Sequence, residues 1–387
     1  MRILSIHNCY QIRGGEDESR EAEEQLLRSH GHQVTVYEEN NSRVDQLGHL
    51  RVALRTIWSQ ESYHHVREIL QQATHDLIHV QNFFPLISPA VYYAAQAEGV
   101  PVIQSLRNYR LLCANGFLFR DGRVCEDCLH QPIPLPGMIH RCYRDSLAGT
   151  LTVSGMQMMH RFLSTWQKQV NLFITLTEFS RLKFIQAGFP ADKIVVKPNF
   201  ITQDAGIGDG EGGYGFYVGR LSPEKGIETL LSAWKQLGSH IPLKIVGDGP
   251  LSDDVQQVSA EYPQIQWLGR QPLETVYQLI GGAKFLIFPS QWYETFGRVA
   301  VEAFAKGTPV IAANIGAIAE LVEDQKTGLL FTPGDVEDLI KTVQWGLDHP
   351  QQVEQMRVQA RAEFEAKYTA HTNYQQLMQI YQQVIRA

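Results

Sequence analysis

The feature that most constrains the fold is an alternation of short apolar runs with longer amphipathic segments, and this alternation occurs twice along the 387-residue chain. Short apolar runs bounded by turn residues indicate buried strands, and the segments between them have helical periodicity. Such alternation predicts parallel sheets wrapped by helices, and therefore an α/β protein. The predicted strands lie at 2–7, 33–37, 76–80, 100–104, 172–176, 193–196, 215–218, 243–246, 265–268, 285–288, 309–312 and 328–331.

A glycine-dense stretch separates the two halves. Residues 203–213 read QDAGIGDGEGG, and such a density of glycine favours a linker over a helix or a packed strand. The predicted domains are therefore 1–205 and 206–365. The polar helical residues 366–387 are predicted to pack back on the first domain.

Composition excludes several classes of function. The net charge of -7 argues against a nucleic-acid binder, which needs an excess of cations to neutralise phosphates. No run of 18 apolar residues occurs, so a spanning helix is not expected. The first residues, MRILSIHNC, indicate a strand and not a signal peptide. We expect a cytoplasmic protein, with peripheral membrane contact left open.

The strongest motif is YVGRLSPEKGI at 217–227, where a strand ends in a glycine and two cations follow before a helix. Gly219 allows a ligand close to the backbone, Arg220 offers a fork of donors, and Lys225 adds a compact charge. The next helix directs its positive end at the same place. These features suit a diphosphate, and the alternative is a solvated turn with surface charges.

A second motif is PSQWYETFGRVAVEA at 289–303, which follows another predicted strand. It places Glu294 in a loop at the carboxyl end of that strand and Glu302 in the next helix. Carboxylates accept hydrogen bonds from sugar hydroxyls, and the backbone N–H groups near Gly297 can meet an anion at the helix start. For Glu302 alone, an ordinary helix-face carboxylate is the alternative.

Taken together, the strand-Gly-Arg-x4-Lys-Gly loop and the E-x7-E spacing resemble glycosyltransferase family 4. Further segments follow in the family's order: GDGP at 247–250, GR at 269–270 and GAIAE at 316–320. The resemblance implies the GT-B fold, with two Rossmann-like, doubly wound parallel-sheet domains facing a cleft. It also implies a retaining hexosyltransferase that uses a nucleotide-diphosphate sugar in polysaccharide or glycolipid biosynthesis. The acceptor would be a glycan, a lipid-linked or a small molecule.

The resemblance also implies roles for individual residues. Arg220 and Lys225 would neutralise the departing diphosphate without a catalytic metal, so no cofactor is required for catalysis. Glu294 would hold hydroxyls of the donor sugar. The other donor contacts implied are Gly15 in the first loop, Gly219, Arg270 beside the nucleobase, the backbone of Phe296 and Gly297, and Glu302 on the ribose. The first domain would bind the acceptor and the second the donor.

One position departs from the family pattern. Relatives usually carry a histidine after the fourth strand, whereas this chain has Arg107 followed by Asn108. The histidine's role on the donor sugar is therefore not transferred, and we assign Arg107 and Asn108 to the acceptor side. Gln81 likewise stands where relatives often have a second histidine.

Four of the five cysteines fall within thirty residues, in an insertion at about 113–144. Cys113, Cys125, Cys128 and Cys142 could close a tetrahedral structural zinc site, and Cys125 and Cys128 form a CxxC pair. Their outer spacings match no standard finger, so incidental reduced thiols are an equal alternative.

Residues 146–170 indicate one long helix after this insertion. Six apolar residues recur there at roughly helical spacing, which indicates a stripe facing the core: Leu151, Met156, Met159, Phe162, Leu163 and Trp166. Basic residues flank the stripe, and this suits contact with anionic lipid as an alternative.

Two rival functions share the same fold. A GT-B epimerase would bind a nucleotide sugar without an acceptor, but the E-x7-E spacing disfavours it. A nucleotide-sugar-binding protein with impaired catalysis is supported only by Arg107. A nicotinamide dehydrogenase is excluded more firmly, because no GxGxxG follows the first strand.

Overall fold

The computed structural model describes residues 1–11 and 14–386. All twelve strands predicted from the sequence are confirmed, with ends that differ by at most three residues. In chain order the strands are β1 (Arg2–Cys9), β2 (Gln33–Asn40), β3 (Leu77–Asn82), β4 (Val102–Leu106), β5 (Phe119–Arg120), β6 (Arg123–Val124), β7 (Leu172–Thr175), β8 (Ile194–Val196), β9 (Gly215–Val218), β10 (Leu243–Val246), β11 (Ile265–Trp267), β12 (Phe285–Phe288), β13 (Val310–Ala313) and β14 (Gly328–Phe331).

Helices connect most of these strands. They are α1 (Gly15–Ser29), α2 (Val44–Leu47), α3 (His49–Ile57), α4 (Gln60–Gln72), α5 (Ala90–Ala97), α6 (Leu135–Ile139), α7 (Leu147–Phe162), α8 (Thr165–Lys168), α9 (Glu178–Gln186), α10 (Ile227–Leu237), α11 (Ser252–Glu261), α12 (Leu273–Gly282), α13 (Arg298–Ala305), α14 (Gly316–Leu321), α15 (Val336–Asp348), α16 (Pro350–Lys367) and α17 (Ala370–Arg386). No helix among the described residues has the length and apolar character needed to cross a membrane.

The chain divides into two compact units. The first contains Met1–Leu118, Cys125–Pro198 and the residues from Asn373 onward, and the second contains Phe119–Val124 and Asn199–Thr372. The domain bounds predicted from the sequence, at 1–205, 206–365 and 366–387, stay predictions.

The first unit is built on a parallel sheet with the order β2-β1-β3-β4-β7-β8. Every residue of β3 and β4 is buried, as expected for central strands that have helices on both faces. The chain returns past β1 to form β3, so the strand order reverses between these two neighbours. Doubly wound sheets bind ligands at the carboxyl ends of strands at such a point.

The second unit is a parallel sheet with the order β11-β10-β9-β12-β13-β14. Its strand order reverses between β9 and β12, which makes these two strands its topological switch point. The helix α10 packs on β9 through Trp234, which is fully buried. A Cβ on Gly215 would lie 2.6 Å from the Trp234 ring, so a glycine begins β9 for a packing reason.

The glycine-dense stretch at 203–213, predicted as a linker, contains no helix or strand but is bonded to the second unit. Gly208 donates its N–H to the carbonyl of Lys306, and Gly210 donates to that of Gly281, both at 2.9 Å. A Cβ on Gly208 would lie 2.2 Å from the Cα of Gly281. These glycines therefore permit two backbones to approach closely within the second unit.

The helix predicted at 146–170 is broken. Ser164 adopts a left-handed conformation with φ 54°, which ends α7 and starts the short α8. The predicted core stripe is divided as well: Met156 and Trp166 are buried, while Leu151, Met159, Phe162 and Leu163 are exposed. A single core-facing stripe is thus wrong for this segment, because most of its members lie on the outer face.

Acidic residues of α1 are more buried than a charged helix surface would be. Three of the six acidic residues between Glu16 and Glu24 are buried, namely Asp17, Glu23 and Glu24. Arg20, Glu23, Glu24 and Leu27 have the spacing of one helical face, and that face packs toward the sheet. Polar pairs, and not apolar side chains alone, therefore fill this interface.

A buried ionic network links α17 to the first sheet. Glu23 pairs with Lys197 at 2.9 Å, and Lys197 also donates to Asn373 at the start of α17. His79 of β3 lies 2.7 Å from the Tyr381 hydroxyl of α17. Burial opposes ionisation of Glu23, but Lys197, His79 and Arg107 together outweigh it and lower the carboxyl pKa to about 2. Burial lowers the pKa of His79 to about 4 despite the nearby Glu23.

These pKa shifts predict that acid weakens the first unit. A neutral imidazole at His79 contributes stability that is complete above its unfolded pKa of 6.5 and is lost as the pH falls toward about 4. The loss amounts to about 3 kcal/mol, because each pKa unit is worth about 1.4 kcal/mol. In denaturant titrations between these pH values, His79→Gln should flatten the dependence of unfolding free energy on pH.

The matched control is His64→Gln, at an exposed position of α4, which should keep the wild-type slope. Equal slopes in wild type and His79→Gln would show that His79 is not the group that titrates. Because the comparison uses slopes, a general loss of stability in the variant does not affect it.

Candidate functional site

The candidate site of the second unit lies at its topological switch point. β9 pairs with both β10 and β12, and the chain leaves β9 and β12 through loops that lead into α10 and α13. Both loops begin at the carboxyl ends of neighbouring parallel strands, so the two sequence motifs meet at one edge of the sheet. This is where the fold brings predicted residues together.

The β9–α10 loop is shaped by local sequence signals. After Arg220 a 3-10 turn spans Pro223–Lys225, and proline at its first position presets the backbone angle. Gly226 follows in a left-handed conformation with φ 71° and begins α10. A Cβ on Gly226 would lie 1.9 Å from the Pro289 carbonyl oxygen. The glycine is therefore required both by its φ and by close packing of the second loop.

The GDGP segment braces the same loop from the other side. Leu221 donates its N–H to the Asp248 carbonyl at 2.8 Å. A Cβ on Gly247 would lie 1.9 Å from the Gly219 carbonyl oxygen, and one on Gly249 would lie 2.4 Å from that of Leu221. The backbone between Gly219 and Leu221 is thus held by contacts that only glycine neighbours allow.

Glu294 is the centre of the β12–α13 loop. Its Oε1 accepts hydrogen bonds from Lys225 Nζ at 2.5 Å, Ser290 Oγ at 2.9 Å and Trp292 Nε1 at 3.0 Å. Gln291 also donates its N–H to the carbonyl of Glu224 at 2.9 Å, so the backbones of the two loops are bonded to each other. The carboxylate is buried, and donors from both loops set its orientation.

Lys225 lies in a partly enclosed position. Its side chain is 25% exposed, and its ammonium lies 5.4 Å from the centre of the Trp292 ring. An ammonium has three N–H donors, and Glu294 takes one of them. The remaining donors are available to an anion that enters from the exposed side.

Glu302 points from α13 and is 6% exposed. Its Oε1 accepts from Arg298 Nε at 3.1 Å, one turn earlier on the same helix. Gly297 precedes α13, and a Cβ there would contact Leu321 at 2.9 Å. Phe296 is buried against Tyr368, so its ring serves packing and only its backbone is placed for a ligand.

The two predicted arginines of this unit are both exposed. Arg220 follows Gly219 directly, and its carbonyl accepts from the buried Tyr217 hydroxyl at 2.9 Å. Arg270 lies after β11, and its Nε donates to Asp248 at 2.6 Å. The Arg220 backbone is anchored while its side chain is solvated, and the Arg270 guanidinium is held at the GDGP segment.

The remaining predicted site residues belong to the first unit. Arg107 follows β4, is 8% exposed, and donates from Nε and Nη2 to Gln81 Oε1 at 3.2 and 3.0 Å. Asn108 donates to Glu16 Oε1 at 2.9 Å. Gly15 is exposed at the first position of α1. Residues 12 and 13 lie outside the described residues.

A small pocket opens at the carboxyl ends of β3 and β4, beside Arg107. Arg110 also lines it, and its guanidinium stacks over Phe84 at 4.7 Å from the ring centre. Two buried or stacked cations and a set of amide side chains thus face one cavity. Such a site offers many donors to hydroxyl or anionic groups.

The cysteine insertion places Cys128 at its centre. Cys128 Sγ accepts the N–H of Gly137 at 3.2 Å, and the carbonyl of Gly137 accepts the N–H of Cys142. Burial raises the pKa of Cys128 to about 11, and the neighbouring thiols of Cys113, Cys142 and Cys125 add to the shift. The other three thiols thus lie near enough to Cys128 to affect its pKa, although no three of the four sulfurs all lie within 4.8 Å of one another.

Several residues of the site were missed from the sequence. Ser290 and Trp292 bind Glu294, and Asp248 holds Arg270. Ser290 could have been predicted as a site residue, because it is a polar residue shortly after a buried strand. Trp292 had none, since a tryptophan in a loop more often indicates packing.

Comparison with known proteins identifies the second unit. Residues 208–363 match the family model of "Glycosyl transferases group 1". Among curated proteins, "Sulfoquinovosyl transferase SQD2" of Arabidopsis thaliana is 35% identical over 150 residues, or 37% of this chain and 29% of that protein. "O-antigen chain mannosyltransferase B" of Escherichia coli is 30% identical over 202 residues, or 46% of this chain and 52% of that protein.

These alignments cover roughly a third to a half of the curated relatives' own lengths. A solved structure, "Crystal structure of Anabaena Alr3699/HepE in complex with UDP", covers 99% of this chain and 100% of its own, with a TM-score of 0.71 and 20% identity. That likeness concerns the fold, and it confirms the predicted two-unit α/β fold of GT-B proteins.

The contact between the two loops predicts a specific effect of glycine substitution. Gly226→Ala combines a left-handed φ with a clash against a backbone carbonyl, so it should destabilise the second unit. The control is Gly213→Ala, which has a similar φ of 65° but nothing within 4 Å of its Cβ. In urea unfolding, Gly226→Ala should cost about 1–3 kcal/mol more than the control. Equal costs would mean that the loops do not constrain each other.

Proposed function

We propose that this chain, whose residues 208–363 form a group 1 glycosyltransferase domain, is a retaining hexosyltransferase of family 4. It moves a sugar from a nucleotide-diphosphate sugar to a glycan, lipid-linked or small-molecule acceptor. The reaction belongs to polysaccharide or glycolipid biosynthesis. A cytoplasmic place for this reaction and the absence of a catalytic metal are parts of the same proposal.

The observation that carries the proposal is the Lys225–Glu294 contact at the switch point. A partly exposed ammonium and a buried carboxylate meet where parallel sheets bind their ligands. The ammonium suits a diphosphate, and the carboxylate suits sugar hydroxyls. The two residues of this contact would therefore bind the two adjoining parts of a nucleotide sugar. Arg220 lies on the same loop and adds an exposed guanidinium that can fold over the diphosphate.

In the proposed reaction the bond between the sugar's anomeric carbon and the diphosphate oxygen breaks. The acceptor hydroxyl forms the new bond from the same face, and its proton passes to the departing phosphate oxygen. Negative charge grows on the diphosphate as the bond breaks, and Lys225 and Arg220 stabilise that charge. Glu294 and the loop backbones hold Lys225 in place beforehand, so little reorganisation accompanies the step.

Glu302, Gly297 and the backbone of Phe296 would complete the donor site at α13, and Arg270 would border the nucleobase. Gly15 would contact the donor from the first unit. The pocket beside Arg107 and Asn108 would hold the acceptor. Solved neighbours contain UDP and UDP-glucose, so uridine diphosphate sugars are the first donors to test.

Lys225→Ala should lower kcat at saturating donor by at least about tenfold, because charge stabilisation worth over about 1.4 kcal/mol is lost. The readout is transfer to an acceptor, or slow hydrolysis of the donor, measured across a panel of nucleotide sugars. Lys235→Ala removes the same charge from an exposed position on α10 and should leave kcat unchanged.

Near-normal kcat in Lys225→Ala would refute its role in the chemical step. Isomerisation of a donor without transfer or hydrolysis would instead identify an epimerase. Binding of a nucleotide sugar with no reaction at all would identify a protein of impaired catalysis.

We also propose that the four neighbouring cysteines hold a structural zinc ion. Their segment, 113–146, contains little regular structure, and Cys128 Sγ already accepts the N–H of Gly137. Tetrahedral zinc needs sulfurs about 3.8 Å apart, since each zinc–sulfur bond is about 2.3 Å. In the described residues only His7, Cys9 and Asp17 form a group with ligand atoms all within 4.8 Å, so the four sulfurs would draw together on binding.

Metal analysis of gently purified protein should give about one zinc per chain. Cys125→Ser/Cys128→Ser should lose the zinc and unfold at a lower temperature, whereas Cys9→Ser should keep both properties. Substoichiometric zinc in the wild type would rule the site out.

A further inference from the structure

Four exposed apolar residues lie on the outer face of α7. Leu147, Leu151, Met159 and Phe162 lie within about 120° of one another around the helix, since each residue advances by about 100°. Their exposed fractions are 47%, 47%, 38% and 87%. The opposite face is buried and includes Val153, Met156 and His160. Packing of the first unit therefore accounts for one face of α7 and leaves the other in water.

Two helices that pack on α7 also expose apolar residues. α3 packs on α7, where a Cβ on Gly155 would lie 3.5 Å from Ile57, and it exposes Leu50 by 76% and Leu54 by 61%. α6 also packs on α7 and exposes Leu135 by 53% and Ile139 by 67%. The docking face is defined as the exposed apolar residues of the three helices: Leu50, Leu54, Leu135, Ile139, Leu147, Leu151, Met159 and Phe162.

Exposed cations lie on these helices or next to them in the sequence. Arg51 of α3 is exposed, as are Arg141 and Arg144 between α6 and α7, and Lys168 on α8. The sequence from 129 to 170 holds four Arg or Lys residues and one acidic residue, Asp145, although the whole chain has a net charge of -7. Positive charge is thus concentrated around apolar side chains on a protein that is otherwise negative.

We infer that this docking face binds the surface of an anionic lipid bilayer. Exposed Leu, Ile and Phe side chains would enter the boundary between headgroups and acyl chains, and the surrounding arginines would pair with lipid phosphates. A second copy of the chain fits less well, because a symmetric contact would bring two cationic rims together. The inference rests on the proposed function in one respect: membrane binding would bring the enzyme to a lipid-linked acceptor.

The test is flotation of the full chain with vesicles, which needs no turnover. The protein should float with vesicles of phosphatidylcholine mixed with phosphatidylglycerol and remain unbound with phosphatidylcholine alone. Binding should weaken as salt rises from about 0.1 M to about 1 M, because the screening length falls from about 10 to about 3 Å. If the wild-type protein floats with anionic vesicles but shows no turnover, only the proposed function is contradicted. If it shows turnover but does not float, only this inference is contradicted.

Variants locate the contact. Leu151→Glu/Phe162→Glu should weaken vesicle binding by at least about tenfold, since it removes apolar contact and adds repulsion from anionic lipid. Leu273→Glu/Val358→Glu is the matched control, with the same charge change at exposed apolar positions of the second unit, and should bind as wild type does. Arg141→Gln/Arg144→Gln should weaken binding, whereas Lys326→Gln/Lys341→Gln should not.

Circular dichroism and donor hydrolysis should be unchanged in all four variants, because none of these residues lies in the proposed donor site. Equal vesicle binding by the two glutamate variants would overturn the inference. So would a dimer in solution that Leu151→Glu/Phe162→Glu dissolves while the wild-type protein fails to float, since the face would then belong to a second copy of the chain.

Discussion

The proposed chemistry depends on one contact, the ion pair between Lys225 and Glu294. Neither residue is near the other in sequence, and the pair forms because β9 and β12 are neighbours although β10 and β11 lie between them along the chain. Because the strand order reverses between β9 and β12, the loops that lead from these strands into α10 and α13 lie side by side. The ionic site is therefore a consequence of sheet topology.

Close backbone contacts make that arrangement rigid. Gly226 packs on Pro289, Gly247 packs on Gly219, and Gln291 donates to the Glu224 carbonyl. Each glycine contact would be broken or strained by a side chain, so glycine is needed for proximity as much as for conformation. A preorganised ammonium stabilises developing charge without first having to be positioned, which is how such a site lowers a barrier.

The first unit uses charge differently. Glu23, Lys197 and His79 are buried and bonded to one another or to α17, so their role is to hold the C-terminal helix on the sheet. The cations that remain at its surface, such as Arg141 and Arg144, lie instead around apolar side chains. The charged residues that stabilise the fold, those of the proposed catalysis and those of the proposed docking face thus form three separate groups.

The sequence predicted the strands and both loop motifs because local patterns encode them. Periodic apolar residues reveal a strand wherever they occur, and the glycine and proline of 217–227 shape their own turn. It did not predict the partners of Glu294, since Ser290 and Trp292 reach it through a loop conformation with no periodic pattern. It did not reveal the burial of Glu23 or the backbone contacts of 203–213, because burial of a charge and close approach of two backbones are decided by residues far away in sequence.

The central claim is that Lys225 and Arg220 receive the donor's diphosphate beside Glu294. A crystal structure with a bound nucleoside diphosphate tests it most directly. The account predicts phosphate oxygens within hydrogen-bond distance of Lys225 Nζ, with the Arg220 guanidinium drawn in from solvent onto the same group. A diphosphate bound elsewhere, with Lys225 still engaged only by Glu294 and Arg220 still in water, would contradict it.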